Sequence, residues 1–470
     1  MYSAPELFEI YGPHLGLPID RSSVSAIVTA LADRYQRDGY PRPRISVDSA
    51  LVEAGIVRMD VAETRIASIA IGGDPGPHRD ELERLGRQLT AQRPLMRHDL
   101  QNVLRRMRAL PGLELTAATE SVEDLPNAYR LDVDAEFRPV GASLRLTNRG
   151  TDEIGPHFLL GQLLADGMAG GSLSAGILFA AATDYEEYRG AGPLLAWNVG
   201  REGARIVLSG LRSRARPDRS GLDLDDLFVR DRLGLTGSLP LYTGARMTAS
   251  LSAELEATGL EISRADFSFR DEQLRMLSVG MDQIWRGDAV QYAGSAEIVK
   301  GLGALGSGLT ALDLETDPRS AEFTLLRLDL VRLARIAPRW TMRFDGFAQH
   351  SSYALPFTER FKIGGERLGR GFERAALAGD SGIGAKLELA RDLPAAPRWL
   401  GRASIYGFYD VGAVWKQDVP GRDSAATAGL GLALRDDGTI ARLELAQPLI
   451  APDVEGRDDL RVFFELSWRR

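Results

Sequence analysis

Residues 245–257 read Ala-Arg-Met-Thr-Ala-Ser-Leu-Ser-Ala-Glu-Leu-Glu-Ala. Ala245, Met247, Ala249, Leu251, Ala253, Leu255 and Ala257 alternate with Arg246, Thr248, Ser250, Ser252, Glu254 and Glu256 without a fault. Successive side chains of a strand point to opposite faces, so this stretch predicts a strand with one apolar and one polar face. The chain ends in the same way, with Leu460, Val462, Phe464, Leu466 and Trp468 set against Arg461, Phe463, Glu465, Ser467 and Arg469. Trp340/Met342/Phe344 and Val290/Tyr292/Gly294/Ala296/Ile298 are shorter examples. A soluble sheet also alternates, so number and length must decide. The 330 residues from Gly141 to Arg470 hold about sixteen strand candidates of about 9–13 residues, with no helical period between them. The expected architecture is α+β modules followed by an all-β, 16-stranded antiparallel transmembrane β-barrel. Its polar faces would line a lumen and its apolar faces a lipid band.

Upstream of residue 140 the period is helical. Val24, Ile27, Val28, Leu31 and Tyr35 share one helix face, and Gly39 follows at the place of a C-terminal cap. Strand-like runs at 44–47 and 56–61 come next, giving an α-α-β-β unit over residues 1–63 that lacks a leading strand. Residues 64–139 repeat the plan with that strand present. A run holding Ile66, Ile69 and Ile71 precedes two helical stretches, about 80–90 and 96–109. The second carries Leu100, Val103, Leu104 and Met107 on one face, and strands near 113–118 and 129–133 complete a β-α-α-β-β order. The barrel would occupy residues 140–470.

Composition narrows the function. The chain has 470 residues and a formal charge of -8, a poor match to phosphate-backbone binding, so no nucleic-acid partner is expected. There is no Cys, which removes disulfides, thiolate nucleophiles and Cys-ligated zinc. The five His residues (His14, His78, His98, His157, His350) form no H-x-x-x-H pair, so no metal site and no cofactor is expected. The longest uncharged run, Gly167 to Thr183, is 17 residues and rich in Gly and Ser, unlike a membrane helix. Residues 1–14 lack the basic and apolar regions of a signal peptide.

The connectors carry the functional hint. If the chain enters the barrel from the α+β modules, connections from odd to even strands lie on the far side of the membrane. The long ones, 302–319 and 350–380, both fall there, as outer-membrane barrels prefer. A structureless loop as long as the second is usually functional.

That loop holds Phe361-Lys-Ile-Gly-Gly-Glu-Arg-Leu-Gly-Arg-Gly-Phe372, then Gly379-Asp-Ser-Gly382. Both resemble the loop of the outer-membrane POTRA–barrel superfamily, and within it the two-partner secretion transporters of the haemolysin secretion/activation type. The segments Tyr35-Gln-Arg-Asp-Gly-Tyr40, Arg93-Pro-Leu95, Leu110-Pro-Gly112, Leu144-Arg-Leu-Thr-Asn-Arg-Gly150 and Tyr406-Gly-Phe-Tyr-Asp-Val-Gly412 extend the resemblance over nearly the whole chain. It implies a non-enzymatic pore in the Gram-negative outer membrane with periplasmic POTRA modules. The pore would be a monomer in the lipid bilayer, passing an unfolded exoprotein client that is β-helical once folded. It also implies that the loop motif Gly369, Arg370, Gly371 and Phe372 folds into the lumen, where Arg370 pairs with Asp410 on the strand that also carries Gly412. The loop glycines Gly364, Gly365, Gly379 and Gly382 would supply the tight turns, since glycine tolerates backbone conformations and approaches that a Cβ forbids.

From His350 to Arg370 the chain reaches ~65 Å extended, enough to descend a ~25 Å apolar band. In a water-filled lumen the pair would be screened and worth about 1 kcal/mol. Members of the family carry a signal peptide, a plug helix and a complete first POTRA. None is encoded here, and a truncated start is expected. Two alternatives stay open from the same superfamily: a factor that assembles other barrels, and the barrel part of an esterase-fused protein. Gly379-Asp-Ser-Gly382 copies a serine-protease string without a matching His context. Gly301-Leu-Gly-Ala-Leu-Gly306 copies a dinucleotide fingerprint but precedes a strand, not a helix. Both are read as loop glycine.

Overall fold

The computed structural model describes residues 2–470, apart from 19, 49–55, 124, 152, 201–202, 218–225, 245, 265–266, 312–318, 395–400, 418 and 451–458. Ala245 of the opening strand pattern thus lies outside the described residues, as does part of the 302–319 connector. The chain divides into two compact units, Met1–Pro139 with Ala169–Ser172, and Val140–Met168 with Leu173–Arg470.

The first unit begins with α1 (Ala4–Tyr11), whose Ser3 and Glu6 form a reciprocal capping box. Helix α2 (Arg21–Arg37) is capped by Asp20, which accepts from the Ser23 amide. Gly39 follows at φ +89°, a conformation that suits glycine. Strands β1 (Arg44–Val47) and β2 (Met59–Ala62) pair antiparallel; the second starts three residues later than its apolar run suggested. Then come β3 (Arg65–Asp74), α3 (Arg79–Ala91), α4 (Arg97–Arg108), β4 (Leu113–Ser121) and β5 (Ala128–Phe137). They form a three-stranded sheet of order β3-β5-β4, with β3 parallel and β4 antiparallel to β5. Two helices cover one face. Leu82, Leu85 and Leu89 of α3 and Val103 and Met107 of α4 pack on Ile66, Leu131 and Val133 of the sheet. Leu100 and Leu104 join from the margin of α4. At Gly86 a Cβ would stand 2.6 Å from Ile69 Cδ1, so the missing side chain lets α3 lie against β3.

The second unit is a closed barrel of sixteen long antiparallel strands. Val140–Thr147 is the first and Arg461–Arg469 the last; they close the barrel through Ser143–Thr147 against Glu465–Arg469. The alternation maps onto two faces. Leu235, Leu255 and Leu277 are aligned across three strands and exposed on the outside, as are Leu430, Leu445 and Val462. The polar partners, among them Arg232, Glu254, Glu256, Arg327, Glu388 and Glu444, line an interior cavity of about 1420 Å³. No described helix is long and apolar enough to cross a membrane.

The connectors obey the parity argument. Even-to-odd turns include Pro338-Arg339 and Asp437-Gly438, where Arg339 (φ +67°) and Gly438 (φ +72°) supply the left-handed residues that two-residue hairpins need. The long segments, 302–323 and 352–380, both join odd to even strands on the opposite rim. Neither is structureless, which corrects that expectation. Gly308–Ala311 adds to Arg270–Gln273 of the eighth strand, and Phe361–Ile363 pairs with Leu377–Gly379 as a small hairpin.

Candidate functional site

The segment 352–380 turns back inside the barrel because its sequence offers the wall both apolar and charged contacts. Phe361, Ile363, Leu368, Phe372 and Leu377 form a buried cluster with Val414 and Ala425 of the wall. The wall accommodates them where it lacks side chains. A Cβ at Gly382 would meet the Phe361 ring at 2.2 Å, at Gly384 it would meet Leu368 Cδ2 at 2.2 Å, and at Gly412 Ile363 Cδ1 at 2.8 Å. Gly364, Gly365 and Gly369 have φ of +115°, +93° and +82°, so the chain reverses at positions where only glycine is unstrained. Gly379 is extended and presses on Trp415 O, where a Cβ would stand 2.6 Å away.

Arg370 and Asp410 meet here. Arg370 Nε and Nη2 donate to Asp410 Oδ2 (3.0 Å) and Oδ1 (2.8 Å), and the Arg370 amide donates to Oδ2 at 3.1 Å. This is the two-pronged geometry that a guanidinium makes and an ammonium cannot. The Arg370 guanidinium carbon also sits 3.6 Å from the Phe408 ring centroid. The adjacent Gly371 amide donates to Thr427 Oγ1 at 3.3 Å, and a Cβ at Gly371 would come within 2.8 Å of Thr427 Cγ2. Phe372 packs in the apolar cluster.

The setting differs from the screened lumen anticipated from sequence. Arg370 is 3 % exposed and Asp410 is 0 % exposed. The reason is the loop itself, whose apolar residues displace water from the wall around the pair. Nor is Asp410 the sole carboxylate. Arg370 Nη1 donates to Glu444 Oε1 (3.1 Å) and to Glu388 Oε2 (3.4 Å). Glu444 also accepts from Tyr406 OH at 2.7 Å and pairs with Arg149. Sequence reasoning missed Glu444, Tyr406, Phe408, Thr427 and Gly384. Two of them carried a usable signal: Tyr406, Phe408, Asp410 and Gly412 are alternate residues of one strand and must share a face.

Around this centre the tip is tied by ions. Arg367 pairs with Asp329 at 2.5 Å, Arg461 with Glu373 at 2.7 Å, and Arg145 with both Glu366 and Glu465. At the base lies the string 379–382. Ser381 Oγ lies 3.5 Å from His350 Nδ1, a His that the sequence reading did not place near it. The Asp380 carboxylate, however, accepts from the Leu355 and Gln417 main-chain amides, at 2.8 and 2.9 Å. Among the described residues no group of three or more His, Asp or Glu is placed to hold a metal ion.

Residues 231–435, which contain both the loop and Asp410, match the family model described as haemolysin secretion/activation protein ShlB/FhaC/HecB. Over that stretch the barrel is similar to the two-partner secretion family of outer-membrane transporters. The fold is similar to that of CdiB from Escherichia coli, with a TM-score of 0.78 at 18% identity over 100% of this chain and 88% of that one. CdiB from Acinetobacter baumannii aligns with a TM-score of 0.68 at 15% identity, over 99% and 86% of the two chains. BamA from Haemophilus ducreyi lacking POTRA domains 1-3 aligns less well, with a TM-score of 0.55 at 13% identity over 100% and 98%. No curated protein sequence matches the chain.

Proposed function

We propose that this transporter passes an unfolded partner exoprotein through its lumen to the cell surface, and that the Arg370 loop is the gate. The observation that carries this reading is the seat of Arg370. One guanidinium reaches three carboxylates and an aromatic face on a wall that the loop itself covers. A contact of this kind has two discrete states, seated and withdrawn, as a gate requires. The lumen around it carries both signs of charge, including Arg230, Arg232, Glu254, Glu256, Lys362 and Glu366, and so suits a polar extended chain of mixed sequence.

Residues 1–63 and 64–139 are, on this reading, periplasmic POTRA modules. In the second, β3 and β4 are the outer strands of the sheet, and a client segment would add to one of those edges. The helix face of α4 packs on its own sheet and leaves the edges to the client. The affinity would be modest, because ordering an extended chain is costly.

The test is secretion of a cognate partner exoprotein. Arg370→Ala should leave barrel abundance and heat-modifiable mobility unchanged while secretion falls sharply. Asp410→Ala should act in the same direction, and the double variant should be little worse than either, because the two changes remove one interaction. Normal secretion by Arg370→Ala, or losses that multiply in the double variant, would remove the gate from this account. Deleting residues 1–139 should leave a barrel that inserts but does not secrete.

A further inference from the structure

The gate is attached to the wall in two different ways. Its tip, between Gly364 and Ala376, carries the ion pairs Arg370 on Asp410, Arg367 on Asp329 and Glu373 on Arg461, beside the buried Leu368 and Phe372. Its root is held mainly by main chain and apolar contact, with Arg360 Nε 3.5 Å from the Asp380 carboxylate. Asp380, 0 % exposed, accepts from the Leu355 amide on the loop's outgoing limb and from the Gln417 amide beyond the thirteenth strand. Its own amide donates to Trp415 O at 2.8 Å, and its carbonyl accepts from Gln349 Nε2 at 3.2 Å. One residue therefore ties its own segment to three others. Beside it, Phe361, Ile363 and Leu377 of the hairpin pack on Val414, and Leu355 sits in a separate apolar cluster with Leu274, Phe323 and Leu325.

Between tip and root is a neck. Gly364 and Gly365 (φ +115° and +93°) face Glu373–Ala376 so closely that a Cβ at Gly364 would stand 1.8 Å from Glu373 O, and Ala375 has φ +58°. Residues at such positions absorb the dihedral change of a hinge. Ionic side-chain contacts can be exchanged for water as the tip leaves. Freeing the root as well would break the Asp380 contacts and expose Phe361, Ile363 and Leu377 in addition to Leu368 and Phe372.

We propose that Asp380 is the positioning residue of the gate: it pins the root, so that opening moves the tip about the neck while the hairpin Phe361–Ile363/Leu377–Gly379 stays on the wall. This rests on the reading of the loop as a gate. It also assigns to the Gly-Asp-Ser-Gly string a role in holding the loop, with Asp380 as its working residue.

The chain has no Cys, so engineered pairs report cleanly. A tip lock joins Leu368→Cys to Gly384→Cys, where a Cβ at Gly384 would stand 3.2 Å from Leu368 Cγ. A root lock joins Phe361→Cys to Gly382→Cys, where the corresponding Cβ separation is 2.9 Å and needs to widen by under ~1 Å to reach disulfide spacing. Purified full-length protein in planar phosphatidylcholine bilayers gives the readout as potassium chloride current with and without reductant. The tip-locked protein should stay in a low-conductance state until reductant releases it, whereas the root-locked protein should conduct like the parent throughout. Asp380→Ala should raise open-state occupancy by about 5-fold or more, the low end of coupling between two sites, and the root lock should restore parental behaviour in that background. If Asp380→Ala fails to fold, Asp380→Asn keeps one accepting oxygen and should show a smaller rise in the same direction.

Release of the root lock by reductant changing the current as much as release of the tip lock would overturn the proposal, because the loop would then move in one piece. So would a parental current in both Asp380 variants. If neither lock alters the current, the loop does not leave its seat, and the gate reading falls together with the hinge built on it.

Discussion

The two units of this protein use the same residue types in opposite directions. In the α+β unit, Leu85 is 1 % exposed inside a helix–sheet core, and ion pairs such as Arg130 with Glu120 lie outside. In the barrel, Leu255 is 54 % exposed on the outer face, and the ion pairs of Arg370 are buried inside. The difference teaches that burial follows the solvent on each side and not hydrophobicity alone. Apolar surface leaves water in both units, but in the barrel the apolar medium is outside, and the polar residues turn to the lumen.

The comparison can be broken at four places. Leu85→Ala should cost the α+β unit ~2–5 kcal/mol, because a cavity opens where neighbours cannot collapse. Thermal unfolding followed at the helical circular dichroism band of the full chain would show it, while heat-modifiable mobility of the barrel should not change. Leu255→Arg should cost ~2–4 kcal/mol if that face meets lipid, read as loss of folded barrel on refolding into bilayers. A cost near zero would mean that the outer face is wet, and the contrast between the units would vanish. Glu120→Ala should cost under ~1 kcal/mol, since both partners are solvated. A large loss there would mean that the exposed pair behaves like the buried one.

The smallest effect concerns pH. Asp20 caps α2 from the surface, and hydrogen bonds from Ser23 hold its pKa at about 2. A carboxyl lowered on folding contributes stability above its unfolded value of ~3.9, which is lost as pH falls toward the folded value. Acid titration of the helical signal should therefore shift upward in Asp20→Ala between these limits. Titration curves identical to those of the parent protein would remove Asp20 from the acid response of α2.

Much of this was legible along the chain. Alternation in 247–257 and 461–468 predicts strands, because period two has no helical equivalent. The helical periods before residue 140 predict α2, α3 and α4, and Gly39 and the Pro111-Gly112 turn mark boundaries by backbone preference alone. Parity alone places the connectors 302–319 and 350–380 on one rim. Less legible were the small pairings inside those connectors. Runs of three or four residues, such as Phe361–Ile363 and Gly308–Ala311, are too short to show a period, and both strands exist because a partner is already in place.

What the sequence determined by itself is local and periodic: which segments are strands, which face of each is apolar, and which connector is long enough to re-enter the lumen. These follow from backbone geometry and the side-chain period, and they need no knowledge of neighbours. Only the tertiary structure decided what Arg370 meets. Asp410 is 40 residues away in the chain and Glu444 is 74, on strands that reach the loop only because the sheet closes on itself. The closure also dries the pair, since Phe361, Ile363 and Leu368 fill hollows left by Gly382, Gly412 and Gly384. The strength of a charge contact depends on how much water remains around it, and that depends on packing between distant segments, which no local pattern encodes.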